Sequence, residues 1–210
     1  MTDVFPQQTA SLAESTREAL VDLVVRGMHR GSISPAQEEL VAAGYAFAKG
    51  PLVMPSPTGT AVAGKLCRVE SGSDEERKIR ALFEVFLPIN RQLRDLCTAW
   101  QTRPDGTPND HSDPAYEAKV RDELDDVHTA ISRVLRRLAQ CDSRFEHYIT
   151  DLATSLEKLD AGDGSWLASP LKDSYHTVWM RLHQELLLLL GVSRSEDEAL
   201  EEQLVSGRAG

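Results

Sequence analysis

Residues 169–191, SPLKDSYHTVWMRLHQELLLLLG, decide the predicted fold. Ser169 suits a helix N-cap and Pro170 suits the first helical position. Gly191 suits the left-handed turn that ends a helix. Between these ends, apolar residues recur at three- and four-residue steps, and Leu186 to Leu190 are all leucine. A helix that is apolar all round is buried by several neighbours, so the stretch predicts the central helix of a helical core.

Further amphipathic segments surround this predicted helix. Each opens with helix-start chemistry, and Pro88 lies inside the first, where we expect a kink. The predicted starts are Ser73 with Glu76, Asp113 with Pro114, Ser143 with Glu146, and Ser193 with Glu196. Long amphipathic segments joined by mostly short links predict an antiparallel helical bundle over residues 71–205.

The first 70 residues show a different order of elements. A helix is expected over residues 11–30, with Ser11 as its N-cap and Gly31 at its end. A short strand at residues 32–34, a helix over 35–43 and a β-hairpin over 45–54 follow. Ser56 or Thr58 then caps another helix. The predicted fold class is mainly α, with a winged-helix-like domain containing a small β-hairpin at 1–70 and the bundle at 71–205.

This order resembles a winged-helix domain. The apolar strand at 52–54 and the following PSPTGTAVA are similar to the end of the wing in MarR-like bacterial regulators, and the resemblance covers about residues 11–68. It implies a DNA-binding head in which Arg26, Arg30, Gln37 and Lys49 face DNA.

One feature departs from that family pattern. A helix-turn-helix has two helices before the wing, but only residues 35–43 read clearly as a helix there. Either residues 27–34 hold a compressed second helix, or the domain is a degenerate winged helix that no longer reads DNA. Exposure of Glu38 and Glu39 beside the wing would favour the second alternative.

A second resemblance concerns about residues 80–190. The segments LPINRQLRDLCTAWQ, NDHSDPAY and SPLKDSYHTVWMRLHQELL resemble uncharacterised actinobacterial helical modules, some attached to enzymes related to pyruvate phosphate dikinase. That resemblance implies an accessory or regulatory module and assigns no catalytic residue.

Charge and composition limit the function classes. The net charge is −10, and all of it lies beyond residue 68, because residues 1–68 are neutral. Since phosphate contacts dominate DNA affinity, only the first third could bind DNA. Three widely spaced cysteines, no signal peptide and no long apolar run predict a cytoplasmic protein without a membrane segment.

Two polar clusters are candidate sites: the loop NDHSD at 109–113, and the start of the central helix. Three interpretations stay open: a structural clamp in which the loop docks onto Asp173, Tyr175 and His176; a small-molecule pocket; and a metal site of a hydrolase using His111, Asp173 and His176. The predicted ligand-binding residues are Trp100, Asp110, His111, Asp173, Tyr175, His176 and Trp179.

Motifs for catalysis are missing. The sequence has no GxSxG elbow and no Gly-rich phosphate loop, so we assign no catalytic residue, no metal and no cofactor. The function expected first is a dimeric bacterial transcriptional regulator that binds DNA and a small-molecule effector. The alternative is a non-DNA-binding accessory or small-molecule-binding module with a degenerate winged helix.

Overall fold

The computed structural model describes residues 12–207. This part of the chain is mainly helical and carries a small three-stranded antiparallel sheet, which confirms the predicted fold class at that level. In chain order the elements are α1 (Glu14–Arg26), β1 (His29–Arg30), α2 (Pro35–Ala42), β2 (Ala46–Lys49), β3 (Leu52–Pro55), α3 (Pro57–Cys67), α4 (Asp74–Gln101), α5 (Pro114–Cys141), a 3-10 turn (Ser143–Phe145), α6 (Glu146–Asp160), α7 (Ser165–Ala168), α8 (Tyr175–Leu190) and α9 (Arg194–Ser206).

The described chain divides into two compact units. The first unit holds the residues up to Val69 together with Gln184–Val192, and the second holds Glu70–His183 and the residues from Ser193 onward. The predicted boundary at residue 70 coincides with the end of Val69. The predicted bundle 71–205, however, includes residues 184–192, which group with the first unit, and Leu188 near the end of α8 belongs to that unit's core.

The first unit is built on a sheet with strand order β1-β3-β2. The expected hairpin is confirmed as β2 and β3, which pair antiparallel with Phe47 opposite Met54. Leu20, Leu40, Val53 and Ala63 are fully buried and form the centre of this unit's core.

The first helix is shorter than predicted. It ends at Gly27, whose φ of 76° provides the left-handed C-cap that was expected at Gly31. The predicted N-cap Ser11 lies outside the described residues. The strand predicted at residues 32–34 is wrong, because the strand is His29–Arg30. Residues 27–34 contain no helix, so α2 alone lies between α1 and the hairpin.

The caps of α2 and α3 explain where these helices begin. Ser34 and Gln37 form a reciprocal capping box at α2, and the Ser56 hydroxyl accepts from the amide of Gly59 at 3.0 Å. Position 59 requires glycine, because a Cβ there would overlap the Tyr45 carbonyl group.

In the second unit, α4 packs most extensively against α5. The Tyr116 hydroxyl at the start of α5 donates to the Ala99 carbonyl at the end of α4, at 2.7 Å. At the opposite ends, Arg137 and Cys141 line a recess together with Asp74 and other residues of the first turns of α4. The two helices therefore run antiparallel, and α4 continues through Pro88 as one helix.

The central helix α8 is buried as expected, but it begins later than predicted. Ser169 and Pro170 precede it in a turn, and Ser174 caps it by accepting from the amide of Thr177 at 3.3 Å. Gly191, with φ of 57°, ends it as predicted. Ser174 takes the capping role because its side chain is fully buried and bonded to the Ser169 carbonyl at 2.9 Å.

The predicted capping boxes have three different outcomes. Ser193 and Glu196 form the complete box. Ser73 caps the amide of Glu76, but the Glu76 carboxylate accepts from the Gly72 amide instead of the Ser73 amide. The box at Ser143 is wrong, because residues 143–145 form a 3-10 turn started by the residue before them.

A buried polar chain ties α9 to α4 and α8 in this unit. Trp179 Nε1 donates to Asn90 Oδ1 at 2.9 Å, and Asn90 Nδ2 donates to Glu201 Oε2 at 2.9 Å. The Glu201 carboxylate also accepts from Arg94. Over residues 12–207, no helix is both long enough and apolar enough to cross a bilayer.

Candidate functional site

An open cleft of about 900 Å³ lies within the second unit, where the end of α4, the following loop, the start of α5, the end of α6 and α7 come together. Several of its walls are apolar, and a few polar side chains enter it, as in many small-molecule sites. Its lining residues are Trp100, Gln101, His111, Pro114, Glu117, Ala118, Arg121, Leu159, Gly162, Gly164, Ser165, Ala168 and Ser169.

The indole of Trp100 forms one wall of this cleft. The His111 ring lies beside it, with ring centroids 4.7 Å apart at an angle of 45°. On α7's side the backbone of Gly164 approaches so closely that a Cβ there would stand 3.1 Å from the indole. The absence of a side chain at Gly164 thus leaves the room that the indole occupies.

The loop before α5 is held over the cleft by Asn109, which is buried. Its side-chain amide donates to the Trp100 carbonyl at 3.0 Å and to Glu117 Oε1 at 2.7 Å. His111 adopts a left-handed backbone conformation, with φ of 59°, that brings its ring back towards α5. Such a conformation is uncommon in a residue other than glycine.

Glu117 connects the imidazole to the helix. His111 Nδ1 lies 3.1 Å from Glu117 Oε1. Asn109 Nδ2 also lies 3.3 Å from His111 Nδ1, but its two hydrogens are directed to the Trp100 carbonyl and Glu117. The carboxylate at Nδ1 therefore favours the tautomer that is protonated there, which leaves Nε2 with a lone pair. Among residues 12–207, neither His111 Nε2 nor Glu117 Oε2 has a hydrogen-bond partner, so both can bind a donor on a ligand.

Arg121 forms the polar floor one turn further along α5. Its guanidinium pairs with the Asp160 carboxylate and donates to the Leu159 carbonyl at 3.2 Å. Its Nε is buried and makes no hydrogen bond within the described part of the chain. Because Asp160 compensates the guanidinium charge, the cleft carries no excess of positive charge.

Of the predicted ligand-binding residues, the structure places Trp100 and His111 in the cleft. Asp110 lies beside it on the loop and is exposed; its carboxylate accepts from the Ser112 hydroxyl at 2.7 Å and lies 3.6 Å from the Arg103 guanidinium. The bond from Ser112 holds the pKa of Asp110 below its usual range. Asp110 therefore stabilises the loop.

Tyr175 and Trp179 lie in the core of the second unit and do not line the cleft. Trp179 stacks on Phe86, with ring centroids 5.3 Å apart. The Tyr175 hydroxyl lies 3.3 Å from His128 Nδ1. Burial raises the pKa of Tyr175 and lowers the pKa of His128, so burial favours the neutral form of both groups.

Asp173 and His176 are also apart from the cleft. The Asp173 carboxylate pairs with Arg181 at 2.6 Å, and burial lowers the pKa of the half-buried His176. The loop contacts expected at these residues are instead made with Trp100 and Glu117, because Asn109 anchors the loop there. Across residues 12–207, no three His, Cys, Asp or Glu side chains are grouped so that they could hold a metal ion.

The predicted DNA-facing residues all lie in the first unit. Arg26, at the end of α1, pairs with Asp22 at 2.7 Å, and the side-chain carbonyl of Gln37 accepts from the Ser34 amide in the capping box. Arg30 and Lys49 are exposed on the sheet. Two of the four side chains are thus held by local contacts.

Sequence reasoning missed the residues that α5 contributes to the cleft. Their signal was present: they recur at positions i, i+3, i+4 and i+7, which is one face of a helix, directly after the polar loop. These residues are Pro114, Glu117, Ala118 and Arg121. The buried stripe of α5 lies on a different face of the helix, so the apolar periodicity does not indicate these residues.

Comparisons of the chain with models of protein families, with curated proteins and with solved structures each found no match. The two family resemblances of the sequence therefore stay predictions.

Proposed function

We propose that this chain is a non-DNA-binding accessory module that binds a small molecule in the cleft of its second unit. The observation that carries the proposal is the cleft itself, which has a volume of about 900 Å³ and is lined by the Trp100 indole, His111 and Glu117. Within residues 12–207, His111 Nε2 and Glu117 Oε2 have no hydrogen-bond partner. This volume lies within the range of drug-sized ligand sites.

The cleft chemistry indicates the class of ligand. A flat aromatic or heteroaromatic ring would lie against Trp100, since offset ring contacts are favourable. N–H or O–H donors on that ring would satisfy His111 Nε2 and the second oxygen of Glu117. An uncharged or cationic ligand is favoured over a carboxylate, because Glu117 is an acceptor and Arg121 is already paired with Asp160.

Binding is proposed in preference to hydrolysis because the nearby hydroxyls are already engaged. Ser165 donates to Asp163 and contacts Lys172, and the Ser169 hydroxyl accepts from the Leu171 amide at 3.3 Å. Burial raises the pKa of Cys97 to about 12, which keeps that thiol protonated and packed.

Two features of the first unit support a module that does not read DNA. Only α2 lies between α1 and the hairpin, whereas the winged-helix pattern places both helices of the helix-turn-helix there. Glu38 and Glu39 on that helix are both exposed, and Glu39 accepts a hydrogen bond from Thr16. Carboxylates on the helix that would enter the groove repel phosphates.

The test is a thermal-shift screen of flat nitrogen heterocycles and phenols, followed by calorimetry on the hits. Ala118→Phe fills the cleft from an exposed position of α5, and Ala115→Phe makes the same change on the same helix outside the cleft. We expect Ala118→Phe to weaken binding at least about tenfold, which is about 1.4 kcal/mol, and Ala115→Phe to leave it unchanged. Equal binding by both variants would reject the cleft as the site.

A DNA-binding regulator is the second candidate. The strand order β1-β3-β2 and the exposed Arg30 and Lys49 on the sheet favour it. It predicts a gel shift of promoter DNA by micromolar protein at low salt that Arg30→Glu with Lys49→Glu abolishes. It also predicts a dimer, which light scattering would detect. No shift at low salt would reject it.

A further inference from the structure

The sheet of the first unit has one face in the core and one in solvent. Val53 of β3 is fully buried, and its register partners are Ala48 on β2 and His29 on β1. Because successive side chains of a strand alternate between faces, the neighbours of these residues occupy the outer face. Phe47 and Met54 are directly opposite each other there.

An apolar row crosses this outer face. Phe47 is 55% exposed, and Met54 beside it is half-buried. Met28 directly precedes β1, and continuing the register of His29 with Val53 puts it opposite Met54; it is 52% exposed. Single exposed apolar residues are ordinary, but here two exposed ones lie on either side of the half-buried Met54 in one row.

A cationic row lies next to the apolar one. Arg30 and Lys49 are both opposite Leu52, one on each side of β3, and both are exposed. Within residues 12–207, neither side chain makes an ion pair or a side-chain hydrogen bond. Within the described residues, these two cations therefore flank the patch without a carboxylate partner.

We propose that this outer face, defined by Met28, Phe47, Met54, Arg30 and Lys49, is a docking surface for an acidic amphipathic helix of a partner protein. The apolar row would receive the apolar side chains of that helix. Arg30 and Lys49 would pair with its carboxylates, so the charge complementarity selects an acidic partner.

The spacing of the two rows fits a helix. Strands lie about 4.8 Å apart, so the row from Met28 to Phe47 is about 10 Å wide, close to the diameter of a helix. Along a strand the two rows are two residues apart, which is about 7 Å. Residues i and i+4 of a helix are about 6 Å apart along its axis. An apolar residue with an acidic residue four positions away would therefore contact both rows.

A protein is favoured over duplex DNA by the same arrangement. DNA affinity comes mainly from cations on phosphates, and here the apolar row beside the two cations would be placed against the sugar-phosphate backbone. An apolar centre with charged residues at its edge is instead the usual composition of a protein interface.

The test uses a displayed library of helical peptides with randomised surface positions, selected on the full-length chain. We expect enriched peptides to share an apolar residue and an Asp or Glu four positions away. A synthetic enriched peptide should bind wild type at least about tenfold more tightly than it binds Phe47→Ser. The double variant Arg30→Glu with Lys49→Glu should lose at least as much affinity as Phe47→Ser. Binding should weaken with added salt.

The control is Leu171→Ser, which removes an apolar side chain that is 84% exposed in the second unit. It should bind the peptide as wild type does, and circular dichroism checks that every variant is folded. Peptides that lack the acidic position, or that bind Phe47→Ser equally well, would overturn the proposal. So would competition by duplex DNA for this face, or self-association of wild type that Phe47→Ser removes.

Discussion

Replacing Asn90 by alanine tests how the second unit holds its C-terminal helix. Asn90 is 2% exposed and links Trp179 on α8 to Glu201 on α9. Asn90→Ala removes a neutral hydrogen bond, worth about 1 kcal/mol, and a bond to a carboxylate, worth about 1.5–3 kcal/mol. It also leaves the indole N–H buried without an acceptor.

We therefore expect the free energy of unfolding to fall by about 3–4 kcal/mol. Urea denaturation followed by circular dichroism measures this change, provided that the slope of the transition is unaltered. The matched variant is Thr98→Ala on the same helix, whose hydroxyl donates only to the Arg94 carbonyl at an exposed site. It should cost less than about 0.5 kcal/mol.

A double-mutant cycle with Trp179→Phe isolates the indole contact. In that background the unsatisfied donor is absent, so Asn90→Ala should cost about 1–2 kcal/mol less than it does in wild type. Additive changes in the free energy of unfolding would refute the claim that the hydrogen bonds of Asn90 to Trp179 and Glu201 hold α9 in place. A fall of less than about 1 kcal/mol for Asn90→Ala alone would refute it too.

Three further predictions concern individual positions. Burial lowers the pKa of His128, so the unfolded chain takes up the proton first and stability falls as the pH drops below about 6.5. The difference in the free energy of unfolding should therefore shift in favour of His128→Gln over wild type in urea titrations from pH 7 to pH 5, and an unchanged difference would contradict this. Gly191→Ala should cost about 1–2 kcal/mol in the same assay, since φ is +57° and the new Cβ meets the Arg68 guanidinium; a loss near zero would contradict this. Asp113→Ala should cost about 1 kcal/mol and Asp113→Asn much less, because the side chain caps α5 by accepting from the amide of Ala115 at 3.1 Å.

Much of the fold could be predicted because periodicity and capping are local signals. The stripe of α4 and the end of α8 at Gly191 are set by residues within one or two turns. The start of α8 was misplaced because Ser169-Pro170 and Ser174 both carry capping chemistry. Only the tertiary burial of Ser174 decides between them, and no local pattern contains that information.

The site was predicted in part for a related reason. Trp100 and His111 were found as an aromatic residue and a polar loop residue near the end of a helix. Their association depends on Asn109, whose bonds to Trp100 and Glu117 bring the loop to α5 and keep it from Asp173. A contact that is set by one buried amide cannot be read from residue spacing.

The most direct test of ligand binding in the cleft follows the three tryptophan indole N–H signals by NMR during titration with flat heteroaromatic fragments. The account predicts that a fragment shifts the Trp100 signal at concentrations up to about 1 mM, while the signal of Trp179, which is bonded to Asn90, stays in place. Fragments that leave Trp100 unshifted, or that shift Trp179 as much as Trp100, would contradict it.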